Sequence, residues 1–149
     1  MQSQREFPCS DLQFFNYIAR RICRDVQMET GRKIELRRLE EGFRYEKKVQ
    51  ITQRRKIVGR MTVSVLQRPS CIRLEYEMED GTQTQDYQIR PLQRGCQVLY
   101  QEQFHARQIS RKLMSAVNEQ LRGKTHRRKM EEMMNSWEKE IRQLYSSHF

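Results

Sequence analysis

The chain has 149 residues, with 29 Lys+Arg against 19 Asp+Glu and a formal net charge of +10. Leu, Ile, Val and Phe make up 32 of the 149 residues, just above the roughly 20% below which a highly charged chain stays disordered. With six glycines and three prolines, collagen-like and Pro/Gly-rich low-complexity classes are excluded.

The opening segment Met1–Glu6 is polar and carries no apolar core of a signal peptide, so a cytoplasmic location is expected. No run of 18 apolar residues occurs, which argues against a membrane-spanning helix. Cys9, Cys23, Cys71 and Cys96 have no CxxC spacing and read as scattered reduced thiols.

Ser10 and Gln13 stand at the spacing of a capping box, with Gln13 able to reach back to the start of the helix. Apolar residues follow at Phe15, Ile18, Ala19, Ile22, Cys23 and Val26, one face of an amphipathic helix that Gly31 can end. This predicts a helix over Asp11–Thr30. The charged stretch Arg32–Glu41 holds at most a short helical turn before Gly42.

Beyond Gly42 the apolar period drops from 3.6 to 2. Phe43, Tyr45, Val49 and Ile51 share one parity, as do Ile57, Met61, Val63 and Val65 after the polar turn at residues 53–56. Ile72, Leu74, Tyr76 and Met78 alternate with Arg73, Glu75 and Glu77 and lead into Asp80-Gly81, a two-residue hairpin signal. Tyr87 and Ile89 return, Arg94-Gly95 turns, and Cys96, Val98, Tyr100 and Phe104 close the series. Five such runs joined by short polar turns describe an antiparallel meander with one apolar face, and Gln2–Phe7 can add a sixth strand.

The helical period then returns in two stripes. The first is Ile109, Leu113, Ala116, Val117 and Leu121; the second is Met130, Met133, Met134, Trp137, Ile141, Leu144 and Tyr145. The stripes are out of phase unless Gly123 bends or breaks the helix, so the C-terminal part reads as one long bent helix or two in sequence. The expected fold is a single α+β domain over residues 1–149, in which a curved antiparallel sheet of five or six strands wraps a long C-terminal helix.

At this level the sequence resembles the Firmicutes domain-of-unknown-function family DUF3284. The residues that carry the likeness are Phe14-Phe-Asn-Tyr-Ile18 leading to Glu29-Thr-Gly-Arg32, Gly42-Phe-Arg-Tyr-Glu-Lys-Lys48, Val98-Leu-Tyr-Gln-Glu102 and the basic segment 124–130. The likeness extends over about Glu6 to Tyr145 and implies a START/Bet v 1-like helix-grip fold, with a ligand cavity between sheet and C-terminal helix. It implies no particular ligand and no reaction.

Large adaptable side chains on the inward parity, Tyr45, Met61, Tyr76, Tyr87 and Tyr100, face a helix bearing Met133, Met134 and Trp137. Such residues can line an apolar pocket, and they equally make an ordinary packed core. Lys47 and Glu102 interrupt apolar parities, so each either lies near a strand end or occupies a polar niche where it meets a ligand head-group or the other. Basic residues concentrate in Arg32–Arg60, including Arg54, Arg55 and Lys56, and again in Lys124, Arg127, Arg128 and Lys129. That excess is either a solvated face or a site for nucleic acid or an acidic protein partner, and no helix-turn-helix, RRM, KH or zinc-finger signature accompanies it.

No nucleophile elbow, phosphate-binding loop or H-E-x-x-H helix is present. His105, His126 and His148 lie far apart, with no cysteine or carboxylate at metal-ligand spacing. The sequence therefore assigns no catalytic residue, cofactor or metal. The leading expectation is non-enzymatic binding of a small, largely apolar ligand.

Overall fold

The computed structural model describes residues 1–107 and 124–145. Their order is β1 (Gln2–Phe7), α1 (Asp11–Thr30), a single 3-10 turn (Leu36–Arg38), β2 (Arg44–Thr52), β3 (Arg55–Gln67), β4 (Cys71–Met78), β5 (Gly81–Pro91), β6 (Cys96–Ala106) and α2 (Lys124–Tyr145). The stripe Ile109–Leu121 and the bend at Gly123 lie outside the described residues.

Six strands form one antiparallel sheet in the order β1-β6-β5-β4-β3-β2. β2 to β6 are thus a plain meander, and β1 adds to its far edge through Phe7 opposite Cys96 and Gln2 opposite Gln101.

Helix α1 begins where the capping box places it. Ser10 Oγ accepts from Gln13 N at 3.1 Å while Gln13 Oε1 accepts from Ser10 N at 2.9 Å, so two otherwise orphan donors are satisfied reciprocally. Gly31 ends the helix at φ 73°, a left-handed conformation that costs a residue without Cβ little. Phe15, Ile18, Ala19, Ile22 and Val26 are buried, as the spacing predicts, and Phe14 and Tyr17 are buried too. The wider stripe has a cause: α1 faces the sheet on one side and α2 on the other. The Phe14 and Trp137 rings meet at 6.3 Å, and the Tyr17 hydroxyl donates to Glu140 on α2.

The strand alternation holds with two corrections. In β3, Val63 is opposite Leu74 but Val65 is opposite Arg73, so Ser64 is an extra residue in a β-bulge. The bulge moves Leu66 onto the inner face, opposite Ile72, and takes Val65 off the parity assigned to it. Glu41 Oε1 accepts from Leu66 N at 3.0 Å and gives the bulged backbone a partner. The β4–β5 turn is Glu79-Asp80, because Met78 pairs with Gly81, one residue earlier than Asp80-Gly81 suggests. On α2, Met130, Met134, Trp137 and Ile141 are buried, whereas Leu144 is 56% exposed and lies off the packed face.

Candidate functional site between the sheet and helix α2

Strand register sets the inner face row by row. Ile72, Tyr87 and Tyr100 form one row across β4, β5 and β6; Leu74, Gln85 and Glu102 form the next; Tyr76, Gln83 and Phe104 form the third. Met61 and Tyr45 extend the third row onto β3 and β2.

The first row is solid core. The Tyr87 and Tyr100 rings lie 4.9 Å apart, and Trp137 packs on them at 5.8 and 5.7 Å. Met134, three residues before Trp137 on α2, is fully buried as well, so that end of the interior is packed. The Trp137 indole Nε1 is buried with no hydrogen-bond partner among the described residues.

The second row turns polar. Glu102 is only 7% exposed, and a carboxylate at that depth needs donors. The Tyr100 hydroxyl supplies one, at 2.5 Å from Oε1. His126 Nε2 stands 3.0 Å from Oε2, yet that nitrogen is buried and makes no directed hydrogen bond. The separation is that of an ion pair, without the alignment of a hydrogen bond. Gln85 lies beside Glu102 in the row. Burial is the main reason the Tyr100 hydroxyl is pushed well above its ordinary pKa, with Tyr87 and Glu102 adding to the shift.

Among the described residues the third row is the less deeply buried: Tyr45, Met61 and Tyr76 are buried, but Gln83 and Phe104 are half-buried, as is Met78 one row further on. The inner face thus runs from a packed aromatic end, through the Glu102–His126 pair, to a part-open apolar end.

One flank of that end is closed by α1. Asp25 Oδ2 accepts from both the Tyr45 hydroxyl at 2.5 Å and Lys47 Nζ at 2.7 Å. Lys47 and Glu102, both out of pattern in the sequence, therefore have different partners and do not meet. The Tyr76 hydroxyl crosses β3 to donate to Lys47 O at 2.7 Å, a path that exists because Gly59 has no side chain. A Cβ there would lie 2.6 Å from the Tyr76 ring.

Asp25, Gln83, Gln85 and His126 are site residues that the sequence reading passed over. His126 stands four residues before Met130 and so continues the buried stripe of α2, a signal masked by the basic run around it. Gln83 and Gln85 share the inward parity of Tyr87.

The basic candidates lie elsewhere. Arg54 is in the β2–β3 turn, Arg55 opens β3, and Lys56 is exposed. Lys124 opens α2, and Arg127, Arg128 and Lys129 are exposed in its first turns. On the outer face of the sheet, a trough of about 440 Å³ is lined by residues including Gln4, Cys71, Gln88, Gln97 and Leu99. None of these five belongs to the three inner-face rows, although Ile89, also in the lining, shares the inward parity of Tyr87.

The family described as "Domain of unknown function (DUF3284)" matches residues 1–123. The chain belongs to DUF3284. Among curated proteins none matches it. Solved structures with similar folds include a protein from Rhodobacter sphaeroides, 13% identical, with 96% of this chain and 91% of that one covered at a TM-score of 0.66. Another is Ara h 8.0201, 6% identical, with 80% and 87% covered at 0.54. A third is a Polyketide_cyc-like protein from Corynebacterium glutamicum, 13% identical, with 91% and 82% covered at 0.50. The DUF3284 chain thus has the START/Bet v 1-like helix-grip fold expected of it, with α2 held against the inner face of the sheet. No helix among the described residues is long and apolar enough to cross a membrane.

Proposed function

We propose that this DUF3284 protein binds a small, largely apolar ligand without chemical conversion, between the sheet and α2 at the part-open end of the inner face. The observation that carries this reading is a half-buried apolar pair, Met78 and Phe104, on the same sheet face as the buried Glu102, whose neighbour His126 has an imidazole Nε2 without a directed hydrogen bond. Apolar walls supply affinity through the area they remove from water, and a few convergent polar atoms supply orientation. Of the sequence candidates, Tyr45, Met61, Tyr76 and Met133 belong to the wall. Tyr87, Tyr100, Met134 and Trp137 back it from the packed end, Glu102 is the polar contact, and Lys47 secures the flank. A cytoplasmic location accords with four free cysteines, two of them fully buried.

Trp137 is the single tryptophan and packs on Tyr100, whose hydroxyl reaches Glu102, so its emission reports on the site. Titration with a hydrophobic probe such as naphthol should shift Trp137 emission saturably, and Met78→Arg should abolish the shift while the far-UV circular dichroism stays unchanged. An unsaturable response, equal in Met78→Arg, rejects the reading.

A second reading rests on Arg127, Arg128 and Lys129. They lie exposed in succession on α2 with no acidic residue in its first turn, so like charges crowd one stretch of surface. An acidic protein or nucleic acid would relieve that repulsion. Retention on heparin that falls steeply with salt and is lost on reversing these three charges supports this reading; salt-independent elution rejects it.

A further inference from the structure

We infer that Glu102 and His126 recognise a hydroxyl group on the ligand; this rests on the binding reading above and narrows its chemistry. Glu102 Oε1 is engaged by the Tyr100 hydroxyl at 2.5 Å, which leaves Oε2 as the carboxylate oxygen nearest His126. His126 Nε2 stands 3.0 Å from that oxygen without directing a hydrogen bond to it, and no other described residue partners it. The pair therefore presents one acceptor and one ring nitrogen side by side at the border of the half-buried apolar wall of Met78 and Phe104.

Each polar class of ligand meets this pair differently. A ligand carboxylate brings like charge against Glu102, which a buried site penalises heavily. An ammonium group offers donors to Oε2 but no acceptor for an imidazole N–H. A hydroxyl does both tasks with one atom: its proton goes to Glu102 Oε2 while its lone pair accepts from His126 Nε2–H. An ether keeps the lone pair and loses the donor, so Glu102 Oε2 would stay unmatched.

Three probes of one shape separate these cases: naphthol, methoxynaphthalene and naphthylamine, titrated against the full chain by isothermal calorimetry. Naphthol should bind the wild-type protein at least tenfold more tightly than methoxynaphthalene, the size expected for hydrogen bonds to a charged, buried partner. That advantage should shrink severalfold in Glu102→Gln, whereas His126→Leu should weaken naphthol and its methyl ether alike because both accept from Nε2–H, with unchanged far-UV circular dichroism showing that both variants are folded. Equal binding of naphthol and its methyl ether to the wild type, the result if water alone bridges the pair, overturns the inference and leaves the binding reading standing. A preference for naphthylamine overturns it in favour of an ammonium ligand. If none of the three binds, the binding reading fails and the hydroxyl assignment fails with it.

Discussion

The Tyr100 hydroxyl donates to the Glu102 carboxylate at 2.5 Å, and the two residues stand two positions apart on the same face of β6. Period-2 alternation makes such i, i+2 neighbours share a face, so one short strand segment carries both a buried charge and its donor. Tyr100→Phe removes the donor and leaves Glu102 Oε1 poorly solvated. The expected cost is about 2 kcal/mol, the range for a hydrogen bond to a charged group. Urea denaturation measures it, as a lower midpoint with an unchanged slope. A loss too small to resolve would mean that Glu102 takes its solvation from elsewhere.

Gly59 is where Tyr76 crosses the sheet. A Cβ at this position would lie 2.5 Å from Glu77 O and 2.6 Å from the Tyr76 ring, and the first of these is backbone that cannot swing aside. Gly59→Ala should therefore destabilise the protein by about 1–3 kcal/mol, as overpacking does. Adding Tyr76→Leu to that variant should return only part of the loss, because the clash with Glu77 O remains. Thermal melts of the two variants give the comparison.

Asp25 holds two donors on one oxygen, and the two are not equal. The Lys47–Asp25 pair is partly solvated, with side chains 25% and 28% exposed, so Lys47→Met should cost less than about 1 kcal/mol. Tyr45 is buried, and Asp25→Ala leaves its hydroxyl without an acceptor at an expected cost of about 1–3 kcal/mol. Chemical denaturation should rank Asp25→Ala well below Lys47→Met. The reverse order would show that the ion pair, not the tyrosine, secures this flank.

Alkaline pH should unfold the protein through its tyrosines. Burial raises the Tyr17 hydroxyl to about 12, the hydrogen bond to Glu140 adds to the rise, and Arg21 opposes it. Burial also raises Tyr45, Tyr76, Tyr87 and Tyr100. A group whose folded pKa exceeds its unfolded value stabilises the fold in full below the unfolded value, about 10 for tyrosine. That contribution declines as pH rises from 10 and is gone above the folded value, about 12 for Tyr17. Stability should thus fall between these limits, and tyrosinate absorbance should appear together with loss of ellipticity. Full ionisation of the tyrosines in a protein that keeps its secondary structure would contradict these shifts.

Most of the architecture is legible in the sequence because it follows from local periodicity. The capping box at Ser10 and Gln13, Gly31 at the end of α1, and the alternation of Ile72, Leu74 and Tyr76 all act within a few residues. The exceptions depend on partners distant in the chain. Val63 and Val65 look like one unbroken alternation; the bulge between them is matched by Glu41, whose carboxylate reaches Leu66 N from the segment before β2.

The candidate site divides along the same line. Lys47 and Glu102 stand out because each breaks an apolar parity, yet neither partner can be read locally. Asp25 lies on the flank of α1, 22 residues before Lys47. His126 belongs to the stripe of Met130, Met134 and Trp137, but it sits among lysines and arginines, where composition suggests a surface patch. Which inward side chains fill the core and which stay half-buried is set by how α1 and α2 cross the sheet. The pattern that places Tyr87 and Phe104 on one face carries no trace of that difference.

The most direct measurement of the central claim is amide and methyl NMR of the protein titrated with naphthol. Binding at the part-open end predicts saturable shifts at the wall residues Tyr45, Met61, Tyr76, Met78, Gln83, Phe104 and Met133, at the Glu102–His126 pair and at the Trp137 indole, all abolished by Met78→Arg. Shifts at the outer-face residues Gln88 and Leu99, or none that saturate, would contradict it.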